Sequence, residues 1–148
     1  PQAAPTQEPE QKPRDVSHYN LGKRSLAIEG FDPVAYFPEG GGKALKGLAD
    51  NELVHRGVRY RFASKKNRAL FEKNPSKYEP QYGGWCAFAM AAGEKVEIDP
   101  KSFHVSGGKL YLFYKSFFND TRKKWLKDTE TLEPKADSAW AKILKSKE

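Results

Sequence analysis

Leu53-Val54-His55-Arg56-Gly57-Val58-Arg59-Tyr60-Arg61-Phe62 decides the fold class. From Val58 onward apolar and basic side chains alternate, and a period of two places Val58, Tyr60 and Phe62 on one face of a strand. Arg56-Gly57, set between this run and Leu53-Val54-His55, reads as the turn of a hairpin. Phe103-His104-Val105-Ser106-Gly107-Gly108-Lys109-Leu110-Tyr111-Leu112-Phe113 repeats the arrangement, with glycines between two strand-forming runs. Antiparallel hairpins are therefore the expected β structure.

Helix signals surround the hairpins. Ser64 is placed to accept a hydrogen bond from an early backbone N–H of a helix running from Lys65 to Lys73, and Asn74-Pro75 ends it. An Ala-rich stretch predicts a second, buried helix starting near Gly84, with Gly93 as its C-terminal cap. Ser116 or Asn119 is expected to cap a third helix holding Phe118, Trp125 and Leu126 on one stripe. Ala136, Trp140, Ile143 and Leu144 make the stripe of a last helix, with Pro134 in its first turn. The expected fold is α+β: a small antiparallel sheet of hairpins packed against several short helices, forming a single domain over residues 19–148. Gly40-Gly41-Gly42 lacks the spacing of a phosphate-binding loop and reads as a turn.

Residues 1–18 differ in composition, with four Pro, three Gln and only Ala3, Ala4 and Val16 as apolar side chains. Such a segment does not bury enough surface to order itself, so it is expected to be a disordered, extended tether. Across the whole chain of 148 residues, aromatic residues make up 13%, which excludes global disorder despite a mean hydropathy of −0.80. No run approaches the roughly 18–20 apolar residues of a membrane span. The lone Cys86 excludes an intrachain disulfide and any zinc finger built from several thiolates. A net charge of +7 favours anionic surfaces without naming one.

The side chains with coordinating or nucleophilic chemistry are few. If residues 84–92 are helical, Cys86 and Met90 stand at i and i+4 on one face. A thiolate and a thioether suit Cu(I), and His104 or His55 would complete a three-coordinate site. Cys and Met are also ordinary core fillers in such a helix, so packing stands beside the metal reading. Asp32, before Pro33, is suited to binding the backbone N–H groups of the following turn. As a ligand beside Cys86 it would favour zinc over copper. A cysteine enzyme would need His104 or His55 as base and the Gly83-Gly84 backbone as oxyanion donors, and no transferase or protease signature surrounds them. No catalytic residue is assigned on this reading. The stretch from Lys109 to Lys127 holds six Lys and Arg against Asp120 alone, a balance of +5. Its interleaved aromatics imitate a single-strand stacking platform, but no recognition motif accompanies them, so no specific nucleic acid is expected. An anionic membrane surface explains the same charge.

Gly30-Phe31-Asp32-Pro33-Val34-Ala35-Tyr36-Phe37, Tyr60-Arg61-Phe62-Ala63-Ser64 and Phe71-Glu72-Lys73-Asn74-Pro75-Ser76-Lys77-Tyr78 together resemble the YHS domain family in order and spacing. Tyr82-Gly83-Gly84-Trp85-Cys86-Ala87, Gly108-Lys109-Leu110-Tyr111-Leu112 and Ala136-Asp137-Ser138-Ala139-Trp140 resemble its longer bacterial exported version. The resemblance implies a link to metal handling, an exported or periplasmic location, and a tether left by removal of a signal or lipid-anchor segment. It also implies that short modules carry thiols where this chain has Ala63 and Asn67, which leaves Cys86 as the retained thiol. The expectation is a non-catalytic binding module for copper or another soft metal, with Cys86, Met90 and His104 as ligands, then His55 and Asp32. A metal-free protein-interaction domain is the alternative, and a cysteine-dependent enzyme the third.

Overall fold

Two β-hairpins and five α-helices are distributed along residues 13–146, the part of the chain that the computed structural model describes. β1 (Glu52–His55) and β2 (Val58–Arg61) pair antiparallel with His55 opposite Val58, so Arg56 and Gly57 form the two-residue turn. Their φ angles of +48° and +90° are those of a turn whose twist matches the strands. Val58 and Tyr60 then face the core, while Arg59 and Arg61 on the other face both pair with Glu52. The alternation predicted from sequence is thus realised residue by residue.

β3 (Asp99–Ser106) and β4 (Lys109–Phe113) close around Gly107-Gly108, at φ +60° and +75°. The two hairpins are separate two-stranded sheets, not one. A lone hairpin is marginal in water, so side-chain packing must join them. That packing is one aromatic-rich cluster running from Ala27 to Ala136 in sequence. Phe71 lies at its centre, fully buried, with the rings of His55, Tyr60, Phe62 and Tyr78 at centroid distances of 4.9 to 6.4 Å.

α1 (Lys65–Lys73) carries Phe71 and begins as expected, with Ser64 Oγ accepting the Asn67 N–H at 3.0 Å. α2 (Pro75–Tyr78) follows at once, with Pro75 at its first position. The Ala-rich helix is shorter than expected: α3 is the single turn Ala87–Met90, and Cys86 is its N-cap. The reason lies just upstream, where Tyr82, Gly83 and Gly84 have φ of +60°, +62° and +89°. A right-handed helix cannot run through left-handed residues, so it begins only at Ala87. Gly93, at φ +79°, donates its N–H to the Met90 carbonyl and closes the turn, as expected of a cap.

α4 (Thr121–Lys127) is capped by Asp120, whose carboxylate accepts the Lys123 N–H at 3.4 Å. Neither Ser116 nor Asn119 caps it, and Phe118 lies outside the helix. α5 (Thr129–Lys145) starts before Pro134, which sits inside the helix instead of in its first turn. Ala136 is buried and Trp140 and Ile143 pack on the core, whereas Leu144 is left largely exposed.

The boundary of the tether also moves. Residues 13–18 lie against the domain: Arg14 makes a two-pronged pair with Glu79 at 2.7 and 3.0 Å, and His18 is buried. The His18 carbonyl accepts the Trp85 indole N–H at 2.7 Å, and Asn20 donates its backbone N–H to Gly83. Local composition is blind to a cation whose partner stands 65 positions away. Residues 1–12 of the expected tether are outside the described residues.

Candidate functional site

Cys86 sits where the extended Trp85-Cys86 backbone turns into α3, as its N-cap with ψ of 122°. The thiol is fully buried, 3.5 Å from Thr121 Oγ1. Thr121 spends its only hydrogen on the Tyr114 carbonyl at 2.5 Å, so the thiol must be the donor to Thr121. A chain of donors therefore runs from Cys86 through Thr121 to the Tyr114 carbonyl. Met90 is likewise fully buried within the core cluster.

His104 belongs to another part of the molecule. It lies on β3 opposite Tyr111, half-buried, in an open depression of 630 Å³ that it shares with Lys101, Lys115 and Arg122. Burial and the nearby Arg122 guanidinium push its pKa down, favouring the neutral ring. Cys86 instead lines a separate groove of 570 Å³ with Phe88, Ala89, Val96 and Leu132. The anticipated triad of Cys86, Met90 and His104 is therefore not assembled around one space. His55 packs its ring edge-on against Phe71 at 5.8 Å, on the far hairpin.

Asp32 is the most densely bonded of the expected site residues. Its carboxylate is fully buried and accepts four N–H groups: Val34 at 2.8 Å, Ala35 at 3.2 Å, Ala63 at 2.7 Å and the Asn67 side chain at 2.9 Å. The turn-setting role holds, and it extends further than the local turn. The two positions where the resemblance places thiols, Ala63 and Asn67, both donate to this carboxylate. Its oxygens are saturated by structural donors, and Asp32 has no spare acceptor capacity for a metal. Among the described residues, no group of three or more His, Cys, Asp and Glu side chains is arranged to hold a metal ion.

The sequence places Phe118 on a helix capped by Ser116 or Asn119, whereas the segment from Lys115 to Asp120 lies outside any helix. These two residues bridge each other, and Ser116 and Asn119 exchange backbone hydrogen bonds at 2.9 and 3.3 Å. A tight turn results, with Phe117 and Phe118 at its two corners. Their exposures are 92% and 93%, and the rings stack edge to face at 4.8 Å. The legible signal was the pair of turn formers, Ser116 and Asn119, at either end of the two phenylalanines. Asn119, which lines the Cys86 groove, also has a buried side-chain oxygen without a hydrogen-bond partner.

No protein-family model, no curated protein and no solved structure matches this chain. The likeness to YHS domains accordingly rests on the residues quoted for it, and the functional reading rests on geometry.

Proposed function

We propose that this chain is a non-catalytic, YHS-like binding module that works outside the cytoplasm and binds through its surface, without a metal. The observation that carries this reading is the Phe117–Phe118 turn. Two adjacent aromatic rings more than nine-tenths in water forgo burial that the other aromatic rings among the described residues gain at least in part. Among the described residues, no group of three or more His, Cys, Asp and Glu side chains makes a competing centre. Cys86 donates to a hydroxyl, Asp32 is saturated, and His104 stands in a different depression from Cys86. A nucleophilic cysteine needs a base within hydrogen-bond reach, and Thr121 is not one. The location outside the cytoplasm rests on the resemblance to exported YHS proteins.

Titrating the purified protein with Cu(I) against a chelating competitor tests the metal-free part of this reading. Wild type and Cys86→Ser are expected to compete equally poorly. One tightly held equivalent that disappears in Cys86→Ser would return the function to the thiol.

A further inference from the structure

We propose that the Phe117–Phe118 turn docks on an anionic lipid surface, with both rings entering the interfacial region while neighbouring cations meet the headgroup phosphates. This rests on the reading that the chain binds through this surface, and it names the partner. Three observations favour lipid over protein. The first is shape: the rings occupy the corners of a turn, a protrusion of the kind that enters a soft interface, whereas protein hot spots lie within flat or concave patches. The second is charge. Lys115 precedes the turn, Lys123, Lys124 and Lys127 follow it on α4 with exposed side chains, and the local balance from Lys109 to Lys127 is +5. Anionic leaflets attract such clusters over about a Debye length.

The third is the depression beside the turn. Lys101, His104, Lys115 and Arg122 line it together with Asp99 and Asp120. Both acids have an oxygen already engaged by a backbone N–H, Asp99 from Lys101 and Asp120 from Lys123. Three cations, Lys101, Lys115 and Arg122, still outnumber these two carboxylates, so the hollow keeps a small net positive charge toward an incoming phosphate. Phenylalanines supply the apolar anchor and the basic rim supplies the preference for anionic headgroups, and marginal binders need such paired signals to stay on a membrane.

Flotation with vesicles of phosphatidylcholine alone, or of phosphatidylcholine mixed with phosphatidylglycerol, tests this on the full chain. Wild type is expected to bind the mixed vesicles at least about tenfold more tightly, and to lose that binding near 1 M salt, where the Debye length falls to about 3 Å. Phe117→Ser/Phe118→Ser is expected to lose at least about tenfold in affinity with unchanged thermal unfolding, since both rings are exposed. Phe117→Leu/Phe118→Leu should retain most of the binding. Equal flotation of wild type and the double serine variant overturns the proposal, as does absence of binding to both compositions. If vesicles fail while sedimentation equilibrium shows a dimer that the serine variant abolishes, the occupant is a second copy, so the lipid proposal falls and the surface reading stands. A tight Cu(I) equivalent at Cys86 with vesicle binding intact would leave the lipid proposal standing and overturn only the metal-free part of the reading.

Discussion

Asn67 donates its side-chain N–H to Asp32 Oδ2 across 2.9 Å, tying α1 to a turn 35 residues earlier in the chain. Ala63, at the end of the first hairpin, donates to the same oxygen at 2.7 Å. One buried carboxylate thus joins a turn, a hairpin and a helix, and its negative charge is balanced by dipoles, with no lysine or arginine among its donors. Removing it strands four N–H groups. Asp32→Ala is expected to cost about 3 kcal/mol, from the desolvation penalty of unpaired buried donors. Asp32→Asn should be similarly harmful, because an amide presents an N–H to these donors. Denaturant melts of both variants check this, and losses under ~1 kcal/mol would mean that the turn and helix hold without the carboxylate.

Glu39 links the glycine-rich turn to α2, accepting from Lys77 Nζ at 2.6 Å and from Tyr78 Oη at 2.8 Å. The bond to Lys77 first, then that to Tyr78, overcomes desolvation and lowers its pKa from 4.5 to about 2. Because the folded pKa is depressed, the contribution is fully present above 4.5 and fades as pH falls toward 2. The pair is about one-third exposed, so solvent screening keeps the effect below about 1 kcal/mol. The stability difference between wild type and Glu39→Gln should therefore be steady near neutrality and shrink below pH ~4.5. A difference that is unchanged down to pH 2.5, or that grows, contradicts the assignment.

Arg14 fastens the N-terminal segment through Glu79, a carboxylate that also accepts from Tyr60 Oη at 2.7 Å. Both partners of this pair are mostly shielded from water. Arg14→Ala is expected to release residues 13–18, raising amide exchange there and at Trp85, whose indole bonds to His18. The core strands should exchange as before. Unchanged protection of residues 15–18 would show that packing by Val16 and His18 suffices.

Gly83 permits the close approach of α5. A Cβ there would stand 2.7 and 2.9 Å from ring atoms of Trp140, on a backbone at φ +62°. Gly83→Ala is expected to cost about 2 kcal/mol or more through overpacking and left-handed strain. Gly41→Ala meets no neighbouring atom and should pay only for its backbone angle. Comparable losses in the two variants would remove Trp140 from the explanation.

How much of this was legible depended on how far apart the interacting residues lie. Both hairpins and the Ser64 cap were readable because alternation, turn glycines and capping act within a few residues. The truncation of α3 was not, because the left-handed Tyr82-Gly83-Gly84 path is fixed by Trp140 and Asn20, far away in sequence. Arg14 failed for the same reason. Asp32 was correctly read as a turn residue, yet half of its hydrogen bonds come from Ala63 and Asn67. Cys86 and Met90 were read as one face of a helix, but Cys86 proved to be the cap. Phe118 was placed on the apolar stripe of a helix, since hydrophobicity alone does not distinguish a ring that fills a core from one that protrudes at a turn.

The working role of the Phe117–Phe118 turn is tested most directly by a fluorescent reporter placed in it. With Cys86→Ala removing the native thiol, Phe118→Cys takes an environment-sensitive label at the turn, and Lys66→Cys takes the same label on exposed α1 as a control. On phosphatidylglycerol-containing vesicles the label at 118 should brighten and shift to the blue while the label at 66 stays in water. A label at 118 that stays in water on saturating vesicles, or two labels that respond alike, would contradict the account.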